Sequence, residues 1–140
     1  MVGFDLDGER IGTIRIVPLG LGLTLTEQLL DTLAGTVPPP RPGEWEVGRL
    51  VLAPAWRGDV EVLRHCLQVG LEHVCSLARI DALYGTCTHA LSRLYRRFGY
   101  SVIARDVCLP GTEKVYTLIR GDCATVAAAV GTRSAVARPQ

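Results

Sequence analysis

Residues at three places in this sequence could take part in chemistry. Glu46 lies on a predicted strand, where a carboxylate can act as a general base. Arg57, Gly58 and Asp59 lie at the start of a long predicted helix, whose free N–H groups and dipole favour an anion. Tyr95 lies on a later predicted helix, and its phenol, of ordinary pKa about 10, can donate a proton. The sequence therefore offers a candidate base, a candidate anion site and a candidate acid.

Metal and thiol chemistry have weaker support. His65 and His73 lie eight residues apart on one predicted helix, too far for a shared metal ion, so no metal site is predicted. The five cysteines include no Cys-x-x-Cys pair, and an odd number without a signal peptide predicts free thiols in a reducing cytoplasm. Cys87 is the one thiol close to the candidate residues; a buried, inert cysteine is the alternative to an acyl-cysteine route.

Composition predicts one cytoplasmic domain. The chain has 140 residues, 48% hydrophobic and 21% charged, with a formal net charge of +1. Such a balance calls for neither a nucleic acid nor a membrane surface as partner. No apolar run approaches the roughly 20 residues that a membrane span needs.

The hydrophobic periods predict alternating strands and helices. A hairpin at 2–17 has its turn at Asp7-Gly8 and a bulge near Gly12. The remaining predicted elements are a helix at 24–33, a proline-rich loop at 35–44, a strand at 45–53, a helix at 59–78, a strand at 80–86, a helix at 90–98, and strands at 101–109 and 114–120. The domain is predicted to cover 1–122, followed by a small-residue tail at 123–140. A long helix between strands 45–53 and 80–86 implies a parallel pair inside a mixed sheet.

This order of elements resembles the GNAT acyltransferase superfamily. The likeness rests on GRLVLAPAWRG (48–58), on the long helix after it and on LSRLYRRFGY (91–100). EVGRLVL (46–52) is also similar to the Glu-x-x-Arg strand of acyl-homoserine-lactone synthases and N-acyl amino acid synthases, and YTLIRGD (116–122) suits the latter. The resemblance implies an α/β (α+β) fold, with a mixed central sheet and helices on both faces. The elements that usually precede the first hairpin in the superfamily are not found ahead of it.

The resemblance also implies roles for residues of the 45–53 strand. In the superfamily a bulge separates this strand from the next and frees a backbone N–H for the oxyanion, here at Leu52 or Ala53. By the period of two, Glu46 is expected on the face of Leu52, as general base for the amine. Arg49 is expected to bind a carboxylate of the acceptor. The alternative for Glu46 and Arg49 is a cross-strand ion pair.

Residues that would hold the donor follow from the same likeness. They are Val51, Leu52, Ala53, Arg57, Gly58, Asp59 and Val60. Val60 replaces a small residue, and Asp59 with Glu61 would repel the diphosphate of coenzyme A. A phosphodiester donor on an acyl carrier protein fits better, and an arginine surface could meet that carrier: Arg57, Arg64, Arg93, Arg96 and Arg97. The alternatives are a well-capped helix and a solvated helix face.

Two residues of the last helix complete the predicted site. Tyr95 matches the tyrosine that protonates the thiolate in many acetyltransferases; a half-buried core tyrosine is the alternative. His89 is placed to touch the pantetheine arm, with a capping or surface role as its alternative.

The sequence therefore predicts an N-acyltransferase. It would use acyl-CoA or an acyl-phosphopantetheine as co-substrate, bind no permanent cofactor, and take a small amine such as an amino acid as acceptor. A non-catalytic GNAT domain and a conventional acetyl-CoA-dependent N-acetyltransferase are the alternatives. An unpaired first strand would favour a homodimer formed by edge pairing.

Overall fold

The computed structural model describes residues 2–6, 8–22 and 24–137, and it describes the side chains of these residues up to Gly131, except that of Leu6. Asp7 of the predicted turn and residues 138–140 of the predicted tail lie outside the described residues. Six strands, four α-helices and two short 3₁₀ turns follow one another within the described ranges. In chain order they are β1 (Val2–Leu6), β2 (Glu9–Pro18), α1 (Leu25–Thr32), β3 (Glu44–Leu52), a 3₁₀ turn (Pro54–Trp56), α2 (Val60–Cys75), β4 (Ala82–Cys87), α3 (His89–Tyr95), a 3₁₀ turn (Arg96–Phe98), β5 (Ser101–Cys108), β6 (Val115–Asp122) and α4 (Cys123–Ala137).

All six strands form one mixed sheet in the order β1-β2-β3-β4-β6-β5. Four of the five neighbouring pairs are antiparallel, and β3 with β4 is the parallel pair that the α2 crossover requires. The α+β fold class predicted from the sequence is confirmed. The β1–β2 register shifts beside Gly12, because Phe4 pairs with Gly12 while Asp5 pairs with Arg10. Strand β1 lies at one edge of the described sheet, and edge pairing of two copies stays a prediction.

Helix starts follow from their capping residues. Thr24 accepts a hydrogen bond from the backbone N–H of Glu27 and starts α1. Asp59 does the same for α2, where its carboxylate accepts from two backbone N–H groups. Thr88 caps α3 by accepting from Leu91 N–H. Leu63, Leu67, Leu71 and Val74 of the predicted stripe are buried on α2, whereas Ala78 lies beyond the end of the helix, which is at Cys75 and not at the predicted residue 78.

The sheet carries a core on each face. The larger core packs α2, α4 and the turn around Phe98 against residues such as Ile14, Leu83 and Ile119. The smaller core packs α1 against the opposite face through Leu30, Tyr84 and Leu118. Because Leu83 and Tyr84 are neighbours on β4, the two cores show the alternation of a strand that is covered on both faces.

Helix α4 begins directly after β6 and covers the larger core. Val126 and Val130 are only 2% and 1% exposed, so the small-residue sequence after Asp122 contributes buried side chains. Across the described ranges, no helix combines the length and the apolar character that crossing a bilayer requires.

Gly99 ends the α3 segment in a left-handed conformation that only glycine fits. Its φ is +91°, and a Cβ there would lie 2.9 Å from the Thr125 carbonyl oxygen and 2.9 Å from Val126 Cα. We expect Gly99→Ala to lower the free energy of unfolding by about 3 kcal/mol, from left-handed strain plus the clash with backbone atoms. Urea denaturation of the purified variant measures this loss.

Gly111→Ala is the matched control. Gly111 has a φ of +80° but no atom within 4 Å of its added Cβ, so the strain acts without the clash. A loss of about 1 kcal/mol is expected there. Equal losses at the two positions would contradict the close packing of α4 against Gly99.

Candidate active site

A wedge opens in the middle of the sheet, between β3 and β4. These strands pair over only three residues each, with Glu44 opposite Ala82 and Glu46 opposite Tyr84 at the two ends of the paired stretch. Beyond that point β3 continues against β2 alone, and β4 continues against β6 alone. Two parallel strands that separate in this way leave backbone groups and side chains facing a gap between them.

A bulge on β3 accompanies the separation. Arg15 pairs with Gly48 and Thr13 with Val51, so Arg49 and Leu50 together oppose a single residue of β2. Arg49 has a φ of +52°, a left-handed conformation that is uncommon for a residue with a side chain. The sequence prediction placed the splayed position near Pro54, whereas the strands already part after Glu46. Pro54 instead begins the 3₁₀ turn that follows β3.

This bulge also changes which face each β3 side chain occupies. Before it Val47 packs against the larger core, and after it Leu50 and Leu52 pack there. Glu46 points to the opposite face, where α1 lies. The prediction that Glu46 shares a face with Leu52 is therefore wrong, since one inserted residue reverses the alternation. Glu46 and Leu52 lie on opposite sides of the sheet.

Three cavities follow the wedge from one face of the sheet to the other. The groove, 520 Å³ in volume, is lined by residues 50–52 and 57–60 together with Leu63, Leu91, Leu94 and Tyr95. The wedge cavity, 290 Å³, lies between the strands and is lined by residues 47–50 and 85–88, several tyrosines including Tyr95, and Leu91. The polar cavity, 340 Å³, is lined by Arg15, Leu25, Gln28, Glu46, residues 47–49 and Thr86.

Shared walls connect the three cavities. Leu50, Leu91 and Tyr95 line both the groove and the wedge cavity. Residues 47–49 and Thr86 line both the wedge cavity and the polar cavity. The three cavities therefore adjoin one another along the wedge.

The backbone of Leu52 faces the groove. Ala53 N–H donates to the Ile11 carbonyl over 2.7 Å, which ties Ala53 into the sheet and removes it as a free donor, contrary to the prediction. Alternate residues of an antiparallel strand direct their polar groups to opposite sides, so the N–H and C=O of Leu52 point away from β2. Arg57 Nε donates to the Leu52 carbonyl oxygen over 3.1 Å from that side.

Asp59 occupies the start of α2 with its own carboxylate. One oxygen, Oδ1, accepts from the N–H groups of Glu61 and Val62, each over 3.1 Å. These are the groups that would otherwise meet an anion at a helix start. A diphosphate would have to displace that carboxylate and would also approach its charge. The helix-cap alternative therefore describes Asp59, while Arg57 and Gly58 still line the groove.

Tyr95 lies between the groove and the wedge cavity. Its ring packs edge-to-face on Phe98 and Tyr100, with centroids 6.5 and 5.7 Å away. Burial, with a smaller contribution from Cys87, raises the pKa of Tyr95 to about 12. The phenol is therefore protonated at neutral pH and can donate a hydrogen bond or a proton into the wedge.

Cys87 faces the wedge cavity beside Tyr95 but is poorly suited to attack a thioester. Burial raises the pKa of its thiol to about 11, so the thiolate is scarce at neutral pH. Its Sγ lies 3.9 Å from the Thr117 carbonyl oxygen, to which the thiol donates. Cys87 is therefore a poor nucleophile at neutral pH.

The carboxylate of Glu46 is held in the polar cavity. Glu46 is 4% exposed; Oε2 accepts from Thr26 N–H over 3.2 Å, and Oε1 lies 3.6 Å from Arg15 Nη2. Arg15 Nε is buried and has no hydrogen-bond partner among the described residues. The cavity thus holds a fixed carboxylate beside a guanidinium with an unused donor.

Two threonines join α1 to β4 across the same cavity. The Oγ1 atoms of Thr26 and Thr86 are 2.7 Å apart. Arg49, exposed at the bulge, lines both the wedge cavity and the polar cavity.

Two predicted contacts differ in the structure. His89 begins α3 but lines none of the three cavities; its Nδ1 lies 3.3 Å from Ser92 Oγ, and Thr88 faces the wedge cavity in its place. Arg64 is paired with Glu61 over 3.0 Å and also donates to the Val130 carbonyl, so it supports α2 and α4 instead of joining an exposed basic surface. Within the described ranges, no group of three His, Cys, Asp or Glu side chains could hold a metal ion.

Sequence reasoning missed Arg15, Thr26 and Thr86. Arg15 carries the clearest signal, because it stands between Ile14 and Ile16 in a strand of β-branched residues. A charged residue there needs a partner in the neighbouring strand, and Glu46 supplies it. The two threonines are too common in strands and helix starts to be recognised from sequence.

Comparison with known proteins extends the description of the fold. No protein-family profile matches the sequence, and no curated protein matches it. Among solved structures, the acyl-homoserine-lactone synthase LasI matches with a TM-score of 0.68 and 17% identity, covering 90% of this chain and 66% of that one. MesI, a CoA-dependent acyl-homoserine-lactone synthase, matches with a TM-score of 0.67 and 23% identity, covering 97% and 68%. BjaI, a CoA-dependent synthase solved with SAM and isopentyl-CoA, matches with a TM-score of 0.62 and 15% identity, covering 96% and 63%.

These likenesses define the class of fold. Proteins provisionally assigned as N-acetyltransferases are also among the matches. The chain has a GNAT-like acyltransferase fold, near that of the acyl-homoserine-lactone synthases, as the sequence predicted. It spans about two thirds of the length of the synthase structures it matches.

Proposed function

We propose that this protein is an N-acyltransferase that moves an acyl group from a phosphopantetheine thioester to the amine of a small acceptor. The observation that carries the proposal is the line of three cavities through the splayed sheet. A thioester arm enters from the groove, the amine enters from the polar cavity, and they meet at the wedge. Such convergence supplies the proximity on which an acyl transfer with little covalent help from the protein depends.

Three groups act on the reacting atoms in this proposal. The N–H of Leu52 donates to the oxyanion that forms when the amine attacks the thioester carbonyl. Glu46 accepts a proton from the amine, directly or through one water molecule. Tyr95, whose phenol is protonated at neutral pH, donates a hydrogen bond or a proton to the departing thiolate.

The acceptor proposed for the polar cavity is an amino acid. Glu46 offers a negative charge to an ammonium group, and Arg15 and Arg49 offer positive charge to a carboxylate. The ammonium group of an amino acid can pair with the carboxylate, and its carboxylate can pair with the guanidinium groups, so no buried charge is left unpaired. Arg15 Nε is the buried donor that such a carboxylate would satisfy.

The donor proposed is an acyl carrier protein. The groove has a largely apolar lining that suits a pantetheine arm or an acyl chain. Asp59 caps the helix start where coenzyme A would place its diphosphate. An acyl carrier protein presents a single phosphodiester, which carries less negative charge than a diphosphate and needs fewer of the N–H groups that Asp59 occupies.

A basic surface beside the groove suits the acidic carrier that we propose. Arg57 is exposed at the groove, and Arg93, Arg96 and Arg97 are exposed on the segment whose Leu91 and Leu94 line it. None of these four arginines forms an ion pair with a residue in the described ranges. Charge on this surface is therefore available to steer an acidic partner.

An acyl-CoA donor is the second candidate. MesI and BjaI, both CoA-dependent synthases, share this fold with the present chain. A non-catalytic domain that binds the thioester without turnover remains the alternative if no donor reacts.

The test is a donor screen read by mass spectrometry. Purified protein is incubated with decanoyl- and palmitoyl-carrier protein and with acetyl- and palmitoyl-CoA, each with a pool of amino acids and small amines. We expect N-acyl amino acids and free carrier thiol from the carrier donors. Product from CoA donors alone would overturn the donor assignment. No product from any donor, with a folded protein, would overturn the catalytic proposal.

Asp59→Asn separates the two donors. The amide still accepts at the helix start but carries no charge, so repulsion of the CoA diphosphate falls. We expect KM for acyl-CoA to fall about 5- to 10-fold, while KM for the acyl carrier changes less than about 2-fold. Glu72→Gln, an exposed charge further along α2, is the control. A variant that leaves both KM values unchanged would contradict the role given to Asp59.

A further inference from the structure

Two cysteines meet at the ends of two helices, away from the candidate active site. Cys75 is the last residue of α2 and Cys123 is the first residue of α4. Their Sγ atoms are 3.8 Å apart, although 48 residues separate them in sequence. Cys75 is exposed, Cys123 is half-buried, and both are free thiols.

We propose that Cys75 and Cys123 form a reversible disulfide that links the end of α2 to the start of α4. Their sulfur atoms are 3.8 Å apart, and a disulfide bond is about 2 Å long, so the two sulfurs must move closer by about 2 Å. Cys75 is exposed at the C-terminal end of its helix, which leaves its side chain room to change rotamer and close this gap.

The disulfide would tie together the two ends of the segment that forms the second part of the sheet. Cys75 leads into β4, and the N–H of Cys123 already donates to the Asp81 carbonyl oxygen, directly before that strand, over 2.9 Å. Linking the end of α2 to the start of α4 closes a loop that includes β4 and α3, which carry one wall of the wedge.

The oxidant we name is a low-molecular-weight disulfide such as glutathione disulfide. The exposed thiolate of Cys75 attacks one of its sulfur atoms and releases one glutathione thiolate. Cys123 then loses its proton and attacks the Cys75 sulfur of the mixed disulfide, which releases the second glutathione. Two protein thiols are oxidised by two electrons, one disulfide is reduced to two thiols, and the two protein protons end on the glutathiones.

The environment of Cys123 sets the order of these steps. Burial, together with Cys75 and Asp81, raises the pKa of the Cys123 thiol to about 11. Cys75 is the more exposed sulfur and meets the reagent first. Once Cys75 is in a mixed disulfide it no longer adds to that pKa, and Cys123 becomes easier to deprotonate.

The test uses the wild-type chain in glutathione redox buffers at about pH 8. After alkylation of the remaining thiols, intact-mass and peptide mapping should show a 75–123 crosslink that dithiothreitol reverses. The oxidised protein should melt about 10 °C higher, because the crosslink closes a long loop in the unfolded chain. Cys75→Ser and Cys123→Ser should abolish both effects. Cys108→Ser, at an exposed thiol on β5, should retain them.

Three results would overturn the proposal. Glutathione could stay attached to Cys75 at saturating oxidant, which would show that the ring does not close. The crosslink could map to another pair of thiols. The rise in Tm could persist in Cys75→Ser. None of these readouts depends on acyl transfer, so failure of the proposed function leaves the test intact.

Discussion

Replacing Glu46 with glutamine is expected to lower kcat for acyl transfer by about 100-fold or more, with a folded protein. The amide cannot accept a proton from the attacking amine, and loss of a general base costs a factor of this size. Glutamine keeps the shape of the side chain and the bond from Thr26 N–H, which spans 3.2 Å in the native protein. Steady-state kinetics with the best donor of the screen measures the effect.

Truncation at the same position separates stability from catalysis. Glu46→Ala removes the partner 3.6 Å from Arg15 and the acceptor of Thr26 N–H. The guanidinium then stays partly buried without its carboxylate, so we expect the free energy of unfolding to fall by about 3 kcal/mol. Urea denaturation of this variant and of Glu46→Gln distinguishes the structural share from the catalytic one.

Glu44→Gln is the matched control for Glu46→Gln. Glu44 is also buried on β3, at 5% exposure, and its Oε2 lies 3.3 Å from Arg120 Nη2. It lines none of the three connected cavities, so its loss should reduce stability without a comparable loss of kcat. Equal losses of kcat in the two variants would assign Glu46 a structural role alone.

Helix α2 shows how much of the fold the sequence could predict. Its stripe from Leu63 to Val74 has the period of a helix, Asp59 is a strong capping residue, and the flanking strands require a crossover. These signals are local, and the observed helix, parallel pair and sheet agree with them. The ending at Gly99 is equally local, because the chain needs a left-handed residue there.

The sequence carried one weak signal for the bulge at Arg49. Gly48 interrupts residues 45–53, and an isolated glycine inside a strand often marks a bulge, but it does not show which residue is inserted, and the prediction treated the strand as regular. The positive φ of Arg49 arises from the pairing of β3 with β2, which is a tertiary effect. One residue of slip then moved Glu46 to the face of α1 and away from Leu52.

The polar cavity could not be predicted either, because it too depends on tertiary contacts. Arg15, Thr26, Glu46 and Thr86 come from four separate elements, and only the folded sheet brings them together. Tyr95 and Leu52, in contrast, lie near segments with a recognisable pattern, so their neighbourhood could be predicted. A local sequence pattern therefore identifies the residues around the groove more readily than those around the polar cavity.

Removing the hydroxyl of Tyr95 is expected to lower kcat about 100-fold, with KM changed less than about 3-fold. Tyr95→Phe keeps the ring that packs on Tyr100, with centroids 5.7 Å apart, and removes the only part that can donate a proton. Tyr84→Phe is the control, since Tyr84 is a buried tyrosine on β4 that lines none of the three connected cavities. A loss of kcat in both variants, or in neither, would remove Tyr95 from the proposed mechanism.

The pH dependence gives a second readout for the same residue. Burial raises the pKa of Tyr95 to about 12, so the phenol stays protonated where an ordinary tyrosine, of pKa about 10, begins to ionise. The wild-type kcat should therefore show no decline from this group below about pH 11. The free energy of unfolding does depend on pH in this range. Above about pH 10 the tyrosine of the unfolded chain loses its proton while that of the folded protein keeps it, so the free energy of unfolding falls as pH rises. Tyr95→Phe removes that contribution, and its unfolding free energy should fall less steeply between about pH 10 and 12 than that of the wild type.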